Sequence, residues 1–137
     1  MALPDENRKN ARARIKWPVS IRTAKGNKME GVTHNISAAG IYIRCSRPLR
    51  LSEVFDMLIK SPESNKILKA RAEVVWSNIY GPDDETTPRG MGVRFVKISG
   101  EDRKVIAQAV MKKLDLEGIK PDMDTIEIAL GTEKRKS

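Results

Sequence analysis

The chain is poor in the residues that build catalytic and metal centres. It has one cysteine and one histidine among 137 residues. A single cysteine excludes an intramolecular disulfide, and one histidine leaves no His/Cys metal cluster. Aromatic residues make up 4%, which argues against the stacking platforms of single-strand nucleic-acid binders. No long apolar run is present, so a transmembrane helix is excluded. The first residues are charged and lack the apolar stretch of a secretory signal, and the expected location is the cytoplasm. No Gly-rich phosphate loop or paired-carboxylate constellation stands out. His34 and Ser37 form a triad with an acid only on paper. His34 and Asn35 are neighbours in a predicted strand and point to opposite faces. His34 shares its face with Val32 and Ile36 and reads as a structural histidine. The expectation is a protein that is not an enzyme and carries no cofactor or metal.

What the chain has in excess is positive charge. The formal net charge is +8 and the pI about 9.8, so an anionic partner fits. The first 28 residues hold eight Lys/Arg against two acids, a net of +6, whereas residues 115–137 carry a net of −2. The basic end contains Arg8 and Arg12, spaced R-x-x-x-R. Downstream lies Asn35-Ile36-Ser37-Ala38-Ala39-Gly40. Each half alone is a weak signal: one suits a solvated tail, the other a strand-ending turn. In this order, with one predicted hairpin between them, they suit a phosphate-bearing purine. Arginine grips phosphate bidentately and stacks on, or reads, a guanine edge. Asn35 offers both a donor and an acceptor, and Ser37 a hydroxyl that serves as either. Gly40 permits a positive φ or lets a ligand approach the backbone closely.

The two halves are within reach of each other. Ile15, Trp17, Val19 and Ile21 alternate with polar residues and read as a strand, with Pro18 marking an edge or a bulge. Ala24-Lys25-Gly26-Asn27 is a turn, and Met29 to Ile36 a second strand. Antiparallel pairing sets Asn35 opposite about Ile15 to Trp17. Arg12 then lies only about 10 Å of extended chain from that rung, at ~3.3 Å per residue.

Arg8-Lys9-Asn10-Ala11-Arg12 followed by Asn35-Ile36-Ser37-Ala38-Ala39-Gly40 resembles the paired signature of PilZ domains, bacterial receptors for cyclic di-GMP. Gly40-Ile41-Tyr42-Ile43 resembles the strand leaving the second motif. Gly90-Met91-Gly92-Val93-Arg94-Phe95-Val96 resembles the family's last barrel strand, and the segment from Ser99 the helix that follows. The likeness covers about Arg8 to Leu114. It implies a mainly β fold, a six-stranded antiparallel PilZ-like β-barrel with a C-terminal α-helix. It also implies that Arg8, Arg12, Asn35, Ser37 and Gly40 bind cyclic di-GMP, and that the bound state signals to a protein partner. The family accepts Asp or Asn at the position of Asn35, Asp being the stronger acceptor. An arginine at the position of Asn7 goes with an intercalated ligand dimer, and this chain has none there.

The remaining segments agree with that architecture. Gly40 to Cys45, Val54 to Ile59, Lys66 to Ser77 and Gly90 to Val96 read as strands three to six. Gly81 to Pro88 is polar and Pro-rich and reads as a loop that does not pack. Cys45, in phase with Ile41 and Ile43, reads as a core thiol. Trp17 and Trp76 also read as core. Ser99 is a good N-cap for a helix whose stripe of Val105, Ile106, Ala109, Val110 and Leu114 packs on the barrel. Gly118 and Pro121 end it. Asp122 to Leu130 is a short extra helix or strand. Three regions follow: a flexible basic arm over residues 1–14, the barrel plus helix over 15–114, and a C-terminal extension with a mobile tail over 115–137. Two other functions fit less well. A PilZ-like adaptor without nucleotide would not need the intact signature. A basic barrel binding nucleic acid would be expected to carry more aromatics.

Overall fold

The computed structural model describes residues 11–131. Six strands, β1 (Pro18–Thr23), β2 (Lys28–Ile36), β3 (Gly40–Arg44), β4 (Val54–Ser61), β5 (Lys66–Asn78) and β6 (Gly90–Ile98), precede two helices, α1 (Gly100–Leu116) and α2 (Met123–Leu130). The strands close antiparallel in the order β1-β2-β3-β6-β5-β4. This is the expected barrel, and closure leaves no open sheet edge among these strands. Strict alternation along β4, with Phe55, Met57 and Ile59 buried and Val54, Asp56 and Leu58 exposed, shows the half-buried pattern at its cleanest.

The first strand begins later than the alternation predicts. Pro18 has no N–H for a ladder bond and occupies the first strand position, where proline is tolerated. Before it, the Thr33 N–H keeps one ladder bond, to the Trp17 carbonyl at 2.9 Å, and the Thr33 side chain takes the place of the others. Its hydroxyl accepts from the Trp17 N–H at 2.8 Å and donates to the Ile15 carbonyl. Pairing resumes at a single bridge, Ala13 to Ile36, with reciprocal N–H···O bonds of 2.8 and 2.9 Å. β1 is therefore no edge strand, since β2 and β4 flank it, and its pairing with β2 has no bulge; Pro18 itself pairs with Val32 alone, the β4 register starting at Val19.

The β2–β3 register shifts between Thr33 and Asn35. His34 is the extra residue of this bulge, and the shift resets the inside–outside alternation. Thr33 and Ile36 are both fully buried although three residues apart. His34 accordingly does not share the face of Ile36, as unbroken period-2 alternation predicts. It packs edge-on to Tyr42, ring centroids 5.9 Å apart.

Helix α1 covers the barrel core. The Ser99 hydroxyl caps it by accepting from the Asp102 N–H at 3.0 Å, with Glu101 and Asp102 at the positive end of the helix dipole. Ile106, Val110 and Leu114 enter the core that holds Trp17, Ile36, Ile41 and Met91. A second cluster, Ala38, Ala107, Ile128 and Ala129, joins α2 to α1 and to the turn after β2. The 122–130 segment is thus a helix. Asp122 caps its start and Gly131, in the left-handed region, ends it.

Candidate functional site

The two signature halves meet. Arg12 donates from Nη1 to Oδ1 of Asn35 at 2.8 Å. The Ala13–Ile36 bridge sets this geometry, because it holds the residues after Arg12 and Asn35 side by side. Ala13 is buried against the core, so Arg12, one residue earlier, faces out beside the outward Asn35. Arg12 lies nearer Asn35 than the predicted register allows, since the bridge pairs Ala13, not Ile15 to Trp17, with the end of β2. Arg8 lies outside the described residues.

Ser37 and Gly40 build the turn on which Asn35 sits. Ser37 is buried. Its hydroxyl accepts from the Ala39 and Gly40 N–H groups, both at 3.1 Å, and donates to the Gly40 carbonyl at 3.2 Å. One donor and two acceptor sites are the full capacity of a hydroxyl. Gly40 is required by close approach, not by a positive φ: a Cβ there would lie 2.1 Å from the Val93 carbonyl oxygen of β6. Ala38 points inward and packs on Ala107, Ile128 and Ala129. The motif therefore divides its labour between Asn35, outward, and Ser37, Ala38 and Gly40, which lock the turn to β6 and the helices.

Two features were not legible in the motif. The first is an aromatic row. Tyr42, opposite Asn35 in the β2–β3 register, lies between His34 and Trp76, with a Tyr42–Trp76 centroid separation of 5.5 Å. A second bulge, between Val74 and Trp76 on β5, turns Val75 and Trp76 outward together. Trp76 is 48% exposed and not core, while Trp17 is buried as expected, with Nε1 donating to Glu63 at 3.1 Å. Gly92 between the rings carries no side chain to separate them. The Tyr42 hydroxyl donates to the Pro88 carbonyl at 2.6 Å. Buried Asn78 donates to the Pro82 carbonyl at 2.8 Å and accepts from the Gly81 N–H at 2.9 Å. The 81–88 loop is therefore pinned beside the row.

The second feature is the tether of the arm. Asp122 Oδ1 accepts from the Ala11 N–H at 2.7 Å, while Oδ2 caps α2 through the Thr125 N–H at 3.1 Å. Within the expected arm, residues 11–14 are thus attached to barrel and helix, and residues 1–10 lie outside the described region.

Electrostatics near Asn35 are cationic. Partial burial, then Arg14, Arg44 and Lys16, lower the pKa of His34, opposed by Glu85. Burial raises that of Tyr42. Cys45 is a buried thiol pushed up to about 11 by desolvation. Among the described residues no group of three His, Cys, Asp or Glu is arranged to hold a metal, and no helix is long and apolar enough to cross a membrane.

Known proteins place this arrangement. The PilZ domain model matches residues 6–112. The fold is similar to that of the Bacillus subtilis inhibitor of motility, MotI/DgrA, at a TM-score of 0.67 and 21% identity over 81% of this chain and 52% of that one. The chain thus spans about half the length of that protein. It is also similar to the PilZ domain of YcgR from Escherichia coli, a structure with c-di-GMP, at a TM-score of 0.63 and 10% identity over 81% and 94% of the two chains. The PilZ domain of CeSA from a cellulose-synthesizing bacterium aligns at 0.51 and 17% identity over 74% and 96%. No curated protein sequence matches the chain. With the family model covering most of its length, the barrel closed in six strands and the two signature halves in contact, this chain belongs to the PilZ domain family.

Proposed function

We propose that the protein is a cyclic di-GMP receptor that signals to a protein partner in the cytoplasm and performs no catalysis. The observation that carries this reading is the 2.8 Å bond from Arg12 to Asn35. It brings a phosphate-gripping guanidinium and a base-reading amide together on the outer barrel surface. Arg8 and Arg12 hold the ligand's phosphates and stack on its bases. Asn35 reads a guanine edge, Ser37 and Gly40 hold the turn that aims it, and Tyr42 and Trp76 offer flat faces to a purine. The E. coli YcgR domain, of the same fold, was solved with c-di-GMP.

The proposed signal is an ordering of the arm. Residues 11–14 are already anchored, so the change centres on Arg8 and its neighbours, drawn in by the phosphates. Hydrogen exchange should slow around Arg8 to Asn10 and Asn35 to Gly40 when ligand is added. Unchanged exchange across Arg8 to Asn10 would rule out this switch.

Isothermal titration with cyclic di-GMP, with GTP and cyclic di-AMP as controls, tests the assignment, and its stoichiometry counts the ligands. Heat with cyclic di-GMP alone is the expected result. No heat, with the fold intact, would leave the adaptor reading. Equal binding of all three, weakening steeply with salt, would favour nonspecific nucleic-acid binding.

A further inference from the structure

A groove on another part of the barrel wall shares no residue with the signature. It encloses about 1060 Å³ and is lined by β1, the start of β2, β4, β5, the end of β6 and the start of α1. Its wall crosses four strands in register. Arg22 faces Asp56, Asp56 faces Arg71, and Arg71 faces Lys97. Asp56 is committed to Arg71 at 3.0 Å. Arg22, Lys28, Lys69 and Lys97 have no carboxylate within ion-pair distance among the described residues. Lys97 lies opposite Arg71, whose charge Asp56 already answers, so Lys97 is left as a cation without a carboxylate partner among the described residues. Between the cations stands Leu58, 42% exposed and paired with Lys69.

The geometry points to this groove as the docking surface for an acidic amphipathic helix of a partner protein. The volume lies at the upper limit of small-molecule sites, about 300–1,000 Å³, and holds roughly two turns of a helix ~10 Å across. The closed barrel offers no strand edge, so a peptide cannot add as a strand and must dock through side chains. Leu58 is the apolar anchor, and Arg22, Lys28, Lys69 and Lys97 are the counter-charges around it. A nucleic-acid backbone fits poorly, because Glu30, Asp56 and Asp102 interrupt the cationic wall and would meet an unbroken run of phosphates. The assignment is independent of nucleotide binding at the signature.

The test uses the full chain and a synthetic peptide of about 14 residues, long enough for marginal helicity, with a Leu stripe flanked by Glu at i, i+4 and i+7. NMR titration should shift amides around Ser20 to Arg22, Asp56 to Leu58 and Lys69 to Arg71. The double variant Lys69→Glu, Lys97→Glu, exposed and outside the core, should weaken binding at least tenfold with its circular dichroism unchanged. A Glu-to-Gln version of the peptide should weaken equally. No groove shifts at millimolar peptide, shifts confined to the Arg12–Asn35 face, or unchanged affinity of the double variant would overturn the assignment. Tighter binding of a random-sequence oligonucleotide or of anionic phosphatidylserine vesicles at the same residues would reassign the groove and also overturn it.

Discussion

The Ala11 N–H donates to the Asp122 carboxylate at 2.7 Å, across 111 residues of sequence. The same carboxylate caps α2 and accepts from the Thr125 hydroxyl at 2.7 Å. One side chain therefore fixes both the signature arm and the C-terminal helix. Asp122→Ala should lower stability by about 1 kcal/mol, the usual effect of losing an N-cap. It should also speed exchange of the Ala11 amide, whereas Asp122→Asn, whose single amide oxygen can accept from only one of the two N–H groups that the two carboxylate oxygens serve, should keep either the cap or the tether and lie between the other two proteins. Thermal melts and hydrogen exchange on the three proteins check this. An Ala11 amide equally protected in Asp122→Ala would show that the tether does not hold the arm.

Arg12→Ala should weaken cyclic di-GMP binding on the order of 100-fold, because charged hydrogen bonds contribute about 1.5–3 kcal/mol each. Arg12→Lys should also weaken it, since an ammonium lacks the fork and the stacking plane. The bond to Asn35 is exposed, so neither change should unfold the barrel. Titration calorimetry with unchanged affinity in both variants would remove Arg12 from the site.

Gly40→Ala should act through stability first. The added methyl would lie 2.1 Å from the Val93 carbonyl oxygen, and relieving it requires β3 and β6 to separate. Overpacking of this kind typically costs about 1–3 kcal/mol. A urea melt superimposable on wild type would show that the β3–β6 contact yields freely.

His34 makes stability depend on pH. Its lowered pKa, caused first by burial and then by Arg14, Arg44 and Lys16, means that the folded state prefers the neutral ring. The unfolded chain takes up a proton near 6.5. This contribution is therefore fully present above pH 6.5 and is lost as pH falls through 6.5 towards the lower folded value. The melting temperature should drop between pH 7.5 and 5.5 more in wild type than in His34→Gln. Equal drops would assign the pH dependence elsewhere.

Cys45 should be inert. With its pKa pushed up to about 11 by burial, little thiolate exists at pH 8. A disulfide reagent should react only as fast as the protein opens, and denaturant should release the full reactivity. Rapid labelling of the native protein would contradict its burial.

Hydrophobic alternation made the strands legible, and the helical stripe with its Ser99 cap made α1 legible. What the sequence hid were departures from regular period. Nothing in Thr-His-Asn announces that His34 is an extra residue, because bulges are selected by pairing across the sheet and not by local composition. The bulge at Val75 likewise turned a tryptophan outward that its strand position assigned to the core. Arg12 and Asn35 were readable as a pair because their residue types carry the chemistry. The reason for Gly40 was not, since it lies in the Val93 carbonyl of a strand more than 50 positions away. Asp122 looked like the start of a short element, and its bond to Ala11 is a contact that only the folded chain creates.

That bond has a consequence for timing. A protein is made from its N-terminus, so the arm emerges long before its anchor. Ala13 can find Ile36 early, but Gly40 needs β6 behind it and Ala11 needs Asp122. A growing chain that stops short of Asp122 holds the whole signature sequence without the hold on its arm, and distant contacts of this kind are the slow ones in folding. The arm is thus secured only after Asp122 has emerged, and a ribosome-bound fragment that ends before it should carry the signature in an untethered form.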